Sequence, residues 1–211
     1  MKIEHEFLPA GKAKGDDIIA TWGRLAIHVA DMCVTRSIDL KDGSSRDGVY
    51  GPMHAVAEWF AANWWSLLYE LDNGANSRTN AYQRRHDLIH AEEGYALPKL
   101  FIQARGAQVR LSSERFVHPI TEREFAGMGH AVFLDRNELS NELARFIGLV
   151  IDRLNKKGVT DTRLHADWQA VSGAEAEERT FCIAAAQAGF DPYDLTDDQA
   201  KAIEKALRLP A

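Results

Sequence analysis

The chain has 211 residues, 45% of them hydrophobic, and a formal net charge of −6. That length fits one large domain or two small ones at roughly 100–200 residues each, and the apolar content supports a packed core and argues against global disorder. An acidic chain lacks the surplus of Lys and Arg that phosphate binding needs, so nucleic acid is disfavoured as a partner.

From the N-terminus, residues 24–30 (Arg24 to Ala30) and 33–39 (Cys33 to Asp39) read as the arms of an antiparallel hairpin turning at Asp31-Met32. Residues 41–48, rich in Gly, Ser and Asp, read as a polar loop. The strongest periodicity follows. Met53, Val56, Ala57, Phe60, Trp64, Leu67, Leu68 and Leu71 recur at spacings of three and four, which predicts a helix with Pro52 in its first turn and Asn73-Gly74 at its end. Trp59, Trp65 and Tyr69 lie off that stripe, so the helix is apolar around much of its circumference and is expected to be covered on two sides.

Residues 80–92 are predicted as a short polar helix ended by Pro98. Residues 100–104 and 109–111 form a second expected hairpin around Arg105-Gly106, and residues 130–134 one more strand. From residue 136 the pattern turns helical. Leu139, Leu143, Phe146, Ile147, Val150, Ile151 and Leu154 make an apolar stripe closed by Lys156-Lys157-Gly158, with cations in the last turn and Gly beyond it. A further helix is expected over residues 173–189, and a last one opens at a capping box, Thr196 with Gln199, and runs to about Leu207. Strands and helices are thus segregated. The expected class is α+β, with antiparallel hairpins packed on a buried Trp-rich helix over residues 1–134 and a helical part over residues 135–211.

Two cysteines far apart, Cys33 and Cys182, make no metal or disulfide pattern and read as reduced thiols. The N-terminus carries acidic residues where a signal peptide has a basic segment, and no apolar run approaches the ~18 residues that span a bilayer. The expected location is the cytoplasm, with no membrane partner.

The candidate chemistry is sparse. His86 and His90, four apart in His86-Asp-Leu-Ile-His90, could share a zinc ion on one helix face. Asp87 stands where the H-E-x-x-H pattern has its general base, no third ligand is marked by spacing, and Arg84 and Arg85 would repel a dication. The favoured reading is a polar segment without metal or other cofactor; a small metal-dependent hydrolase is the alternative. Trp59, Trp65 and Tyr69, with Arg85, His86 and Tyr95, are the candidate ligand- or partner-binding residues. Aromatic rings give contact area at low entropy cost and Arg85 can hold an acidic group; against this, core packing by the same rings is the plainer use. His28, His118, His130 and His165 read as structural or surface residues, and no Gly-rich phosphate loop or nucleophile elbow is present.

Three stretches together, Met53 to Glu70 (with its Ala57-Glu-Trp-x-x-x-Asn-Trp-Trp65 core), Arg85 through Gly94-Tyr95-Ala-Leu-Pro98, and Phe181 through Ala188-Gly-Phe-Asp-Pro-Tyr193, resemble the N-terminal region that precedes the peptidase domain in phage- and bacteria-encoded ImmA/IrrE-type zinc metallopeptidases. The resemblance extends from about residue 20 to residue 207, and the peptidase H-E-x-x-H helix is absent from these residues. It implies a sensing or regulatory module without catalytic residues, recognising a protein partner or small-molecule signal in a phage or stress response. A phage-encoded inhibitor or anti-defence protein, using an acidic surface to occupy a basic site, is a further alternative. Oligomeric state carries no sequence signal.

Overall fold

The computed structural model describes residues 1–8, 20–68, 100–105, 107–118, 121–192 and 194–208. Its described strands form three antiparallel sheets. In the first, β2 (Trp22–Val29) is central. β1 (Lys2–Phe7) pairs with its full length, from Lys2↔His28 to Phe7↔Gly23. On its other side β6 (Val49–Pro52) takes Trp22 to Leu25, and β3 (Met32–Cys33) takes His28 and Val29. The second sheet runs β5 (Ser45–Arg46), β4 (Ser37–Asp39), β10 (Arg123–Phe125), β9 (Phe116–Val117), and the third β11 (Val132–Asp135), β8 (Gln108–Ser113), β7 (Leu100–Arg105).

The first hairpin departs from expectation. Its turn falls at Ala30-Asp31, with Ala30 at φ 49°, and its second arm pairs for only two residues. Thr35 ends the ladder: its buried hydroxyl accepts the N–H of Ile27 at 3.0 Å, in place of a strand carbonyl. Residues 37–39 are thereby released to the second sheet, where Arg123 holds them. The Arg123 guanidinium donates to Ser37 Oγ, Asp39 Oδ2 and the carbonyls of Ser37 and Ser44 at 2.9–3.3 Å. The polar loop over residues 41–48 contains β5, and β1 lies where no element was expected.

The Trp-rich helix is the spine. It opens as α1 (Met53–Ala62), breaks at Asn63 and continues as α2 (Trp64–Leu68). Pro52 offers no capping side chain. Thr21, brought alongside by the β2–β6 pairing, supplies the cap instead: its carbonyl accepts from Met53 N and its hydroxyl from His54 N. At the other end, the Asn63 backbone N–H and side-chain amide both donate to the Trp59 carbonyl. Met53, Val56, Ala57, Trp59, Phe60, Trp64, Leu67 and Leu68 are all buried, covered on two sides as their distribution around the helix requires. Gly23 admits the spine to the sheet, since a methyl there would collide with the Glu6 carbonyl and lie 2.5 Å from Met53 Cε.

Three helices follow: α3 (Arg136–Lys156), α4 (Arg163–Gln187) and α5 (Asp197–Leu207). α3 opens on Asp135, whose carboxylate accepts from Glu138 N, and buries the predicted stripe of Leu139, Leu143, Phe146, Ile147, Val150 and Leu154 against α1. Polar residues of α3 reach the backbone of β1. Glu142 accepts the Ile3 N–H and Arg145 donates to the Ile3 carbonyl at 2.6 Å. Arg153 donates to the carbonyls of Leu8 and Ala20 while lying over the Phe7 ring. α4 begins ten residues earlier than its apolar pattern suggests, because Thr162 and His165 form a capping box with Oγ1–Nδ1 2.8 Å. α5 opens at the predicted box, Thr196 with Gln199. The fold is mixed α+β: antiparallel sheets with the buried helix first, helices alone from Arg136 onward.

Candidate functional site

Trp59 stands in the core, 4% exposed, its ring edge-on to Phe60 at 5.3 Å. A ring so enclosed packs; it offers no open surface to a partner. Trp64 is similarly enclosed and meets Trp168 of α4 edge-on at 5.4 Å. Trp65 belongs to α2, but its side chain lies outside the described residues. So do Tyr69, Arg85, His86, His90 and Tyr95, together with the predicted polar helix over residues 80–92 and the end of the Trp-rich helix.

A pair that the sequence reading passed over sits on the spine itself. His54 and Glu58, one helical turn apart, face each other with Nε2–Oε2 3.5 Å, both largely buried. Arg163, at the start of α4, approaches Glu58 at 3.8 Å and Asp167 at 3.5 Å. These charges join α1 to α4 beside the Trp64–Trp168 contact. Their four-residue spacing was the available signal, but the apolar stripe of the same helix masked it. Among the described residues no group of three or more His, Cys, Asp or Glu side chains is placed to hold a metal ion, and the geometry is that of an interhelical tie.

The outer face of the first sheet is a lattice of ion pairs. Glu4 lies between Lys2 at 2.8 Å and His28 at 3.5 Å, and Arg24 meets Glu6; in the segments between the first and second sheets Arg36 grips Asp47 with two donors. The hydrogen bond and charge of Lys2, with His28, hold the Glu4 carboxyl below its ordinary range. The Arg36 hydrogen bond does the same for Asp47, against the opposing effect of burial. Cys33 is the cross-strand neighbour of His28, and its Sγ is 3.5 Å from Thr35 Oγ1.

The outer face of the second sheet differs in kind. Strand register places Ser45, Ile38, Glu124 and Val117 in one row across it, and Leu40 follows two residues after Ile38. Ile38, Leu40 and Val117 are 43%, 53% and 41% exposed. Charged pairs are interspersed with them: Arg115 holds Glu124 through two 2.8 Å bonds, and Lys41 lies 3.4 Å from Glu122. The inward row of Phe125 and Ser37 is buried, so the sheet is anchored from behind. Glu124, paired with Arg115, stands between Ile38 and Val117 in that row, so the face mixes exposed apolar side chains with a held charge pair, a composition that suits contact with another protein. Among the described residues no helix is long and apolar enough to cross a membrane. No family model matches the chain, and neither a curated protein nor a solved structure matches it.

Proposed function

We propose that the chain is a regulatory or protein-interaction module of an ImmA/IrrE-type peptidase system, acting in the cytoplasm in a phage or stress response without catalysing a reaction itself. The link to that system rests on the resemblance of the Trp-rich segment and of the segments ending at Pro98 and Tyr193. The observation that carries the interaction reading is the outer face of the second sheet, where Ile38, Leu40 and Val117 stand exposed among the ion pairs of Glu124 and Glu122. The partner is then a protein.

The test is binding to an ImmA/IrrE-type peptidase, measured with the intact chain and with the double variant Ile38→Glu and Val117→Glu. The expected result is a complex that the double variant weakens at least about tenfold, as charge placed in an apolar interface centre does, while its thermal midpoint stays near that of the parent. Two results would sink the reading: no complex at all, or one zinc ion per chain that His86→Ala and His90→Ala each remove.

A further inference from the structure

Helix α4 changes character part of the way along its length. Between Arg163 and Val171 it belongs to the body: Leu164 and Val171 are buried, and Trp168 meets Trp64 edge-on. From Ser172 to Arg208, Ala185 and Ile203 are the only buried side chains among the described residues. Among the described elements, α5 packs on α4. The second half of α4 and all of α5 therefore leave the core as a pair.

Ser172-Gly173 stands where that change occurs. A methyl on Gly173 would meet nothing within 4 Å, and its φ is not positive, so neither crowding nor backbone conformation requires glycine there. Glycine in an exposed helix interior weakens the helix relative to alanine. Ser172 adds to this: its hydroxyl donates back to the Gln169 carbonyl at 3.4 Å, a local side-chain bond that competes with the regular helix ladder. Ser-Gly pairs are among the few places where helices kink.

We propose that Ser172-Gly173 is a hinge, and that α4 beyond Gly173 together with α5 forms a two-helix arm that swings as one unit against the body. The packing of α5 on α4, with Ala185 and Ile203 buried, keeps the two helices together, while the weak point in α4 lets the pair change direction. The arm carries acidic residues at the start of α5, Asp197 and Asp198, which favour that helix terminus and reinforce the arm internally.

Distances between paired spin labels test this in the full chain, with Cys33→Ser and Cys182→Ser removing the native thiols. One pair spans body and arm, at Asn137→Cys and Lys205→Cys; the other lies within the arm, at Gln187→Cys and Lys201→Cys. The expected result is a broad distribution for the first pair and a narrow one for the second. Gly173→Ala should narrow the body–arm distribution to the width seen inside the arm. A body–arm distribution already narrow with Gly173 in place overturns the hinge, as does breadth that survives Gly173→Ala. Breadth within the arm itself would show fraying instead of swinging and overturns it equally.

Discussion

Arg123 shows what a single side chain does in a small sheet. The second sheet has strands of two and three residues, too short to hold register through backbone pairing alone. Arg123 joins β10, β4 and the residue before β5 through four hydrogen bonds, two of them to backbone carbonyls and one to the buried hydroxyl of Ser37. Replacing it with Met keeps much of its volume, removes all four bonds and takes the guanidinium away from the Asp39 carboxylate and the buried Ser37 hydroxyl. Arg123→Met should therefore cost about 2–3 kcal/mol, read as a lower urea midpoint at unchanged slope. A midpoint unchanged from the parent would show that solvent replaces the guanidinium without loss.

At the scale of elements, the contact of α3 with β1 ties stability to pH. Burial raises the Glu142 carboxyl, but the hydrogen bonds from Arg145 and the Ile3 N–H outweigh it and leave the group below its ordinary value of 4.5. Arg145 is correspondingly raised by its bond to Glu142. A carboxyl lowered in the folded state contributes its stability above the unfolded value and loses it as pH falls through the folded one. The parent should thus lose urea stability between about pH 6 and about pH 3, and Glu142→Gln should flatten that loss; equal slopes for the two proteins would remove Glu142 from the account. Elements such as α3 and α5 were legible because apolar period, cap and last-turn charge agreed in one stretch of chain. β1, β9 and β10 were not: their pairing depends on partners such as β2 and β4 that are remote in sequence, and two or three residues carry no periodicity. The first hairpin pairs over less of its second arm than the sequence suggests, because β-branched composition marks extended backbone without saying which sheet receives it. The site was less legible still. Trp59 is marked in sequence as a large aromatic ring, but its enclosure comes from the helices around it, and the exposed row at Ile38 and Val117 exists only once two separate segments are paired.

For the whole molecule, stability rests on the enclosed spine more than on the charge lattice. The pairs on the first sheet are open to solvent, where ion pairs are screened and their side chains lose entropy on pairing, so they add little. Raising salt from about 0.1 M to about 1 M, which shortens the screening length to about 3 Å, should move the thermal midpoint by no more than about 3 °C. A large fall would mean that the lattice holds the sheet together. Phe60→Ala, by contrast, empties a site in the buried helix and should cost about 3–5 kcal/mol, measured by urea unfolding.

The grip of α3 on Ile3 has a consequence beyond the folded monomer. A terminal strand with open N–H and carbonyl groups is a template on which another chain can add and fibrils can grow. Glu142 and Arg145 occupy one such donor and one such acceptor with side chains that no incoming strand can extend, so the N-terminal strand is shielded from aggregation by a neighbouring helix.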